Sequence, residues 1–505
     1  MSMPTKRRLN LMIVLAVCAV AVLTARCGRE DSKVLWDQHF PVIGSQSSPR
    51  AADLNGDDVL DIVMGAGKNE FQKCKQGILA MDGKTGDLLW VQESLDQVYG
   101  SATFCDITGD GVKDVVIGGR SPHLKALNGR DGSVIWEYHH ERYAGDSILK
   151  HARFNFGNSV LVPDQNGDGI DDLLTINGGN AGAAPNTEKD RYPGVLLLFD
   201  ARTGDVLAAD TMPDGKETYM SPVCFAQPGD KDRTIVMGTG GETIGGNLYV
   251  TSLEDLRHRN LRAARVIATE HGHGFIAPPS IVDLNHDGYY EIVAISHGST
   301  VFAIDGKNGK ELWRRSLPGT ESSNSFAVGY FNDDDVPDLF TFVSKGQWPN
   351  STGSRQLMLD GRDGRVAYQD SLGCTGYSSP VVYDLDGDGI DEAIISINDF
   401  DCSVGFVDKP PKDMVNRIVA VDFARSKVTT IDSAAGFKNI FSTPWLGDLD
   451  GDGYLNLIYC RYYHRGDLLL FLGMSVRNMS LPVCVTKPVL WGAYMGSNGD
   501  GVFMP

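Results

Sequence analysis

Short apolar runs rich in Val, Ile, Leu and Phe recur along the chain, each closed by a cluster of Gly, Asp, Asn or Pro. Pro380-Val-Val-Tyr383 leads into one such cluster, and Ala393-Ile-Ile-Ser-Ile397 leads out of it. Runs of this length between turn residues predict β-strands. Helical periodicity is nearly absent, which excludes α/β barrels and helical solenoids.

The clusters themselves repeat. One acidic loop occurs as Asp53-Leu-Asn55-Gly-Asp57-Asp58-Val-Leu-Asp61, Asp106-Ile-Thr108-Gly-Asp110-Gly111-Val-Lys-Asp114 and Asp164-Gln-Asn166-Gly-Asp168-Gly169-Ile-Asp-Asp172. It returns as Asp283-Leu-Asn285-His-Asp287-Gly288-Tyr-Tyr-Glu291, Asp384-Leu-Asp386-Gly-Asp388-Gly389-Ile-Asp-Glu392 and Asp448-Leu-Asp450-Gly-Asp452-Gly453-Tyr-Leu-Asn456. A worn copy passes through Tyr330, Asn332, Asp334 and Asp338, and residues 228–234 keep the flanking strands but have lost the ligand pattern. Downstream of most copies lies a second turn, Ala80-Met-Asp82-Gly-Lys-Thr85-Gly86-Asp-Leu-Leu-Trp90, with relatives at 126–136, 200–207, 303–313 and 360–368. Asp or Asn opens this turn and Gly takes its positive-φ position.

The unit is therefore four antiparallel strands: A, acidic loop, B, connection, C, Gly turn, D. Seven intervals separate Asp53 from Asp448 at about 56 residues each, which predicts an all-β propeller of eight four-stranded blades, or seven if the degenerate fourth unit is merged. Val34-Leu35-Trp36 stands in strand-D phase with no A, B or C before it, so the first strand is expected to complete the last blade and remove both exposed edges. Val489-Leu490-Trp491 is a rival for that slot. Strand C of the last blade is expected at 468–472, the propeller over 33–475 and a tail packed on it over 476–505.

Composition narrows the function. The chain has 505 residues, 42% hydrophobic and 22% charged, with 58 Gly, ordinary globular material with frequent turns. A formal charge of −19 makes a nucleic-acid interface a poor fit. The N-terminus reads as a targeting segment over 1–27: Lys6, Arg7 and Arg8 precede an apolar run over 9–25 that suits a secretory signal better than a membrane span. Lipidation at Cys27, plain secretion and an uncleaved anchor all place the chain outside the cytoplasm, in the envelope, on the cell surface or secreted. The first would give it a lipid tether to the membrane. Seven cysteines remain beyond Cys18 and Cys27, with no CxxC spacing, so buried free thiols are the favoured reading and one or two disulfides the alternative.

Loop positions 1, 3, 5 and 9 supply side-chain oxygens and position 7 a carbonyl, a donor set suited to Ca²⁺. The candidate ligands are therefore Asp53, Asn55, Asp57 and Asp61; Asp106, Thr108, Asp110 and Asp114; Asp164, Asn166, Asp168 and Asp172. The later loops add Asp283, Asn285, Asp287 and Glu291; Asp384, Asp386, Asp388 and Glu392; and Asp448, Asp450, Asp452 and Asn456. Carboxylates 4 Å apart repel by about 4 kcal/mol per pair at an effective dielectric of 20. A repulsion accepted six times in register implies an offsetting cation. At least four loops are expected to hold structural calcium, with Thr108 and Asn456 weakening theirs.

Phe156-Gly157-Asn-Ser159-Val160 followed by Asp164–Asp172 resembles the FG-GAP repeat of the integrin α-subunit propeller and of bacterial surface proteins. The resemblance implies a calcium-stabilised propeller and no particular ligand or catalysis. The turn from Asp82 to Trp90 is similar to blades of pyrroloquinoline-quinone (PQQ) propellers and of the outer-membrane assembly lipoprotein with PQQ-like repeats.

Topology places the A–B and C–D turns on one face. Irregular segments gather on the other: 68–75, 177–194, 345–355, 396–417 and 461–467 between B and C, and 138–156 between D and A. Phe71, Arg191, Tyr192, Trp348, Phe400, Tyr462, Tyr463, His464 and Arg465 occur there and suit a protein or glycan ligand, or pack under their own loops. His139, His140, His151, His271 and His273 fall in D–A connections, where they could converge near the axis; ordinary polar loop residues are the plainer reading. Gly83-Lys84-Thr85 lacks the upstream Gly of a phosphate loop, and neither GxSxG nor HExxH occurs. The expected function is a binding or adhesion module acting through the loop-rich face. The alternatives are a propeller enzyme (PQQ-type dehydrogenase or polysaccharide lyase) and an envelope assembly scaffold.

Overall fold

The computed structural model describes residues 31–347, 350–403, 413–464 and 470–505; the expected signal segment with Cys27, and Trp348 and Arg465, lie outside them. Eight antiparallel sheets follow one another over 50–94, 103–137, 155–211, 223–270, 280–316, 320–370 and 381–435, with the last joining 437–484 to Lys33–Pro41. Each is ordered A-B-C-D, and the eight-bladed propeller is the observed fold. Among the described residues, helix is limited to Leu253–Arg257 and three short 3₁₀ turns.

Strand length and burial grade outward through each blade. Inner strands such as Val381–Tyr383 have three residues, all buried. Outer strands such as Leu88–Ser94 alternate between exposed and buried positions, as expected where only one face packs against a neighbour. Blades pack face to face through their Val, Ile and Leu side chains, so apolar clusters straddle neighbouring sheets.

Lys33–Pro41 pairs with Gly473–Cys484, and Trp36 lies opposite Asn478, so the N-terminal strand closes the ring. Asp37 fixes the seam by accepting hydrogen bonds from Ser475 and Arg477. Strand C of this blade is Gly473–Cys484; of the expected 468–472, residues 468 and 469 lie outside the described residues and 470–472 are not strand. Its partner Tyr454–Tyr463 is ten residues long, and pairing of Cys460 with Val476 carries the sheet beyond 475. The tail therefore begins at 485.

A tryptophan links consecutive blades. The indole N–H of Trp36 donates to Gly83 O at 2.7 Å, Trp90 to Gly129 O at 2.7 Å, Trp136 to Ala201 O at 2.8 Å and Trp313 to Gly361 O at 3.0 Å. Each ring rests on the positive-φ glycine of the next Gly turn. At Gly132, with φ +71°, an added Cβ would lie 2.6 Å from the Trp90 ring. Gly132→Ala is accordingly expected to cost roughly 2–4 kcal/mol through combined strain and overlap, read as a lower urea midpoint.

The rival Trp491 has a different place. It bridges to Val382 in the inner strand of the seventh blade, Gly492 O accepts from Leu446 N in the eighth, and Gly501 O accepts from Ile281 N in the fifth. Arg50 of the first blade donates to the carbonyls of Tyr494 and Gly496. A segment that touches inner strands on opposite sides of a ring must cross its axis. The C-terminal tail is thus an axial plug.

Candidate functional site

The acidic loops share one hydrogen-bond scheme. The first acid accepts from the amides of positions 4 and 6, as Asp164 does from Gly167 at 2.6 Å and Gly169 at 2.8 Å. Position 3 accepts from the amide of position 5 and position 5 from that of position 7, as at Asn166 and Asp168; in the second loop, where position 3 is Thr108, the position-5 amide donates to Asp106 instead. Positions 4 and 6 take positive φ, with Asp58 and His286 as the non-glycine exceptions. Position 9 is buried and reaches two turns at once: Asp61 accepts from Leu54 N at 2.9 Å and from Gly83 N at 3.0 Å. That bond places the A–B and C–D turns on a common face.

Burial pushes four of the position-9 acids upward, Asp61 and Asp172 to about 6, Glu291 to about 7 and Glu392 to about 8. Some of the loop oxygens remain unanswered. Glu392 Oε1, Asp283 Oδ1 and, in the worn copy, Asn332 Oδ1 are buried without a hydrogen-bond partner. One oxygen each from Asp384, Asp386 and Glu392, and one each from Asp448, Asp450 and Asp452, lie within 4.8 Å of one another. Orphaned oxygens beside clustered carboxylates fit a hard cation.

Part of the repulsion inferred from sequence is offset within the chain itself. A basic residue of the C–D turn reaches the position-5 carboxylate in several blades: Arg130 to Asp110 at 3.0 Å, Arg202 to Asp168 at 2.7 Å, Lys307 to Asp287 at 3.8 Å and Arg425 to Asp388 at 3.0 Å. Arg362 does the same for Asp334 of the worn copy at 3.5 Å. The signal was present in sequence as Asn128-Gly-Arg130 and Asp305-Gly-Lys307. The pairs are largely exposed, so each contributes little stability.

On the opposite face the D–A connections converge on a cavity of about 240 Å³, lined by Gln46, Tyr99, Arg120, Tyr219, Glu242, Tyr377 and the plug residue Tyr494. A polar wall is built by one position repeated around the ring, two residues before strand A: Ser48, Ser101, Asn158, Ser221, Ser325, Ser379 and Thr443, with Pro278 as the exception; the first four of these line the cavity. Backbone N–H groups of Ser101, Asn158, Ser325, Ser379 and Thr443 each donate to the side-chain oxygen of a neighbouring blade's member. Arg120 pairs with Glu70 at 2.6 Å, and burial raises the Glu242 carboxyl. Arg191 is buried against Glu217, whose own carboxyl is raised by burial.

The residues expected to contact a ligand divide. Phe71 is 65% exposed, its amide held by Asp96, and Tyr192 stacks on Phe154 beneath Arg153. Tyr462 and His464 are buried, and Phe400 packs against the core. The described residues of the insertion at 345–355 extend the B and C strands, whereas at 396–417 strand B ends at Asp399 and strand C begins at Val415. His139 and His271 are exposed, and of the five connection histidines only His273 meets a second imidazole, that of His297. Cys374 and Cys402 form a disulfide on this face, whereas Cys74, Cys105, Cys224 and Cys460 are buried free thiols.

The family model described as outer membrane protein assembly factor BamB matches residues 27–220, less than half of the chain. No curated protein matches by sequence. Solved structures with the same fold include a europium-containing methanol dehydrogenase (TM-score 0.54, 10% identity, covering 89% of this chain and 93% of that one). Two quinohaemoprotein alcohol dehydrogenases are also similar. That of Pseudomonas putida HK5 has TM-score 0.52, 10% identity and coverage of 90% and 77%. That of Comamonas testosteroni has TM-score 0.50, 11% identity and coverage of 92% and 80%. At these identities the likeness is one of fold.

Proposed function

We propose that this chain is a calcium-stabilised, extracytoplasmic propeller that binds a protein partner through the face carrying its irregular connections. The observation that carries the reading is the division of labour between faces. One is a repeated array of short, hydrogen-bonded turns, and the other gathers the variable segments around a polar and aromatic cavity. Functional contacts concentrate on variable loops held by a rigid scaffold, and exposed aromatics such as Phe71 are the side chains that anchor protein interfaces.

Three observations support the compartment and the partner class. The Cys374–Cys402 disulfide suits an oxidising environment. The basic and apolar N-terminal sequence reads as an export signal. The family model that matches the first blades describes an outer membrane assembly factor, which favours a protein over a glycan as the ligand. No helix among the described residues is long and apolar enough to cross a membrane.

A quinone-dependent dehydrogenase is less well supported. Pyrroloquinoline quinone is a tricarboxylate and requires a basic slot, whereas the axial cavity offers Arg120, already committed to Glu70, beside the acidic Glu242. The residues present do not fit that cofactor.

A photocrosslinker placed at position 71 is expected to give discrete protein adducts in intact cell envelopes. The same group at Asp131, on the acidic-loop face, should give none. Phe71→Glu should weaken capture of the adduct partner at least about tenfold, the loss of one apolar anchor. Equal adducts at both positions, or retention on glycans with no protein adduct, would refute the proposal.

A further inference from the structure

Three side chains from successive segments meet beside the axial cavity, on the face opposite the acidic loops. His273 lies in the connection between the fourth and fifth blades, His297 in the B–C turn of the fifth, and Glu321 in the strand Thr320–Glu321 that opens the sixth. One ligand atom from each lies within 4.8 Å of the other two. His297 is 1% exposed and Glu321 6%, so water does not screen the cluster freely.

Hydrogen bonding sets the imidazoles. His273 Nδ1 lies 2.6 Å from the carbonyl oxygen of Glu242. A carbonyl only accepts, so Nδ1 carries the proton and the neutral ring keeps a lone pair on Nε2. His297 Nδ1 lies 3.2 Å from Ser323 Oγ. Its Nε2 is buried with no hydrogen bond and stands 3.4 Å from Glu321 Oε2. An imidazole whose Nδ1 is held by a protein acceptor while Nε2 is left open is the arrangement that metal-ligating histidines adopt. A buried nitrogen without a hydrogen bond carries a cost that an ion would remove.

We propose that His273, His297 and Glu321 form a binding site for one divalent transition-metal ion of the zinc class. Two imidazoles and one carboxylate suit Zn²⁺ and its first-row neighbours, whereas Ca²⁺ takes an all-oxygen set. Three protein ligands leave a coordination position for water or an anion. Ser323 and Glu242, which hold the two imidazoles, also line the axial cavity, so that position would adjoin the cavity. The proposal is independent of the calcium loops and of the protein partner. A plain His–Glu ion pair is the competing account, and it binds no metal.

The test is titration of the purified protein with ZnCl₂ and with CoCl₂ in excess calcium, which keeps the acidic loops occupied. One equivalent of Co²⁺ should bind and give the visible d–d absorption of a four- or five-coordinate site, displaced by Zn²⁺. His273→Ala, at a half-buried position, should melt like the parent in calcium yet lower zinc affinity by more than about 100-fold. Glu321→Gln should weaken binding in the same direction, and His271→Ala, at an exposed neighbour, should leave it unchanged. Absence of the cobalt band in the parent protein would overturn the proposal whatever the variants do. So would parental zinc affinity in His273→Ala, or loss of the site in His271→Ala.

Discussion

A chain ending at Cys484 is expected not to reach a stable closed ring, and Trp491→Ala alone should cost about 3–5 kcal/mol, the usual range for emptying a large buried aromatic site. The tail fills the axis with side chains that have no other cover: Trp491 is 2% exposed, Met495 1% and Phe503 2%. Trp491 and Phe503 pack on each other, with ring centroids 6.3 Å apart, and Phe503 packs on Tyr330. Its backbone also answers inner-strand amides at Val382, Leu446 and Ile281, which would otherwise face an empty channel. Arg50 is fully enclosed, and its burial lowers the guanidinium to about 10. Removing the Tyr494 and Gly496 carbonyls would leave a buried cation without its acceptors, a further penalty of several kcal/mol. Urea unfolding followed by tryptophan fluorescence and circular dichroism measures the effect. A Trp491→Ala midpoint equal to that of the parent would show that the axis does not depend on the plug.

Calcium depletion is the second large effect. On the proposed reading, each site contributes RT ln(1 + [Ca]/Kd), about 2.7 kcal/mol when calcium stands at a hundred times Kd. Four occupied loops would then supply about 11 kcal/mol, comparable to the whole stability of an ordinary domain. Chelation should lower the melting temperature by many degrees and expose the free thiols Cys105 and Cys224 to alkylation. Metal analysis of protein equilibrated in calcium should find at least four ions per molecule. Glu392→Gln and Asp384→Asn should each remove one of them, while Asp58→Gly, at a positive-φ residue outside the ligand set, should remove none. The built-in cations predict a graded response. The first loop, where no C–D cation reaches Asp57 among the described residues, should depend on calcium more than the Arg202-paired third loop. A melting temperature indifferent to chelator, or fewer than one calcium per molecule, would remove the basis of this reading.

Blade architecture was legible because its signals are local. A nine-residue acidic loop, a Gly turn and a tryptophan one strand later all lie within one unit, and their repetition narrowed the number of blades to eight or seven. The ring seam was legible for the same reason: Trp36 stood in strand-D phase before any complete unit. Strand C of the last blade was misplaced because 468–472 is as apolar as a strand, and only pairing with Tyr454–Tyr463 selects Gly473–Cys484 instead. Arg191, Tyr462 and His464 occur in ligand-like composition, yet whether such a side chain faces solvent is set by its neighbours in space.

Repeating short-range patterns by themselves determined a closed wheel of four-stranded blades, eight or seven in number, with its acidic turns on one face. Tertiary structure alone decided the axis, because residues at equal phase in different blades meet only once the ring has closed. The hydroxyl wall, the plug carrying Trp491 and the meeting of His273 with His297 and Glu321 are all contacts of that kind. No spacing along the chain encodes them, since the distance between two such residues depends on how many blades the circle holds.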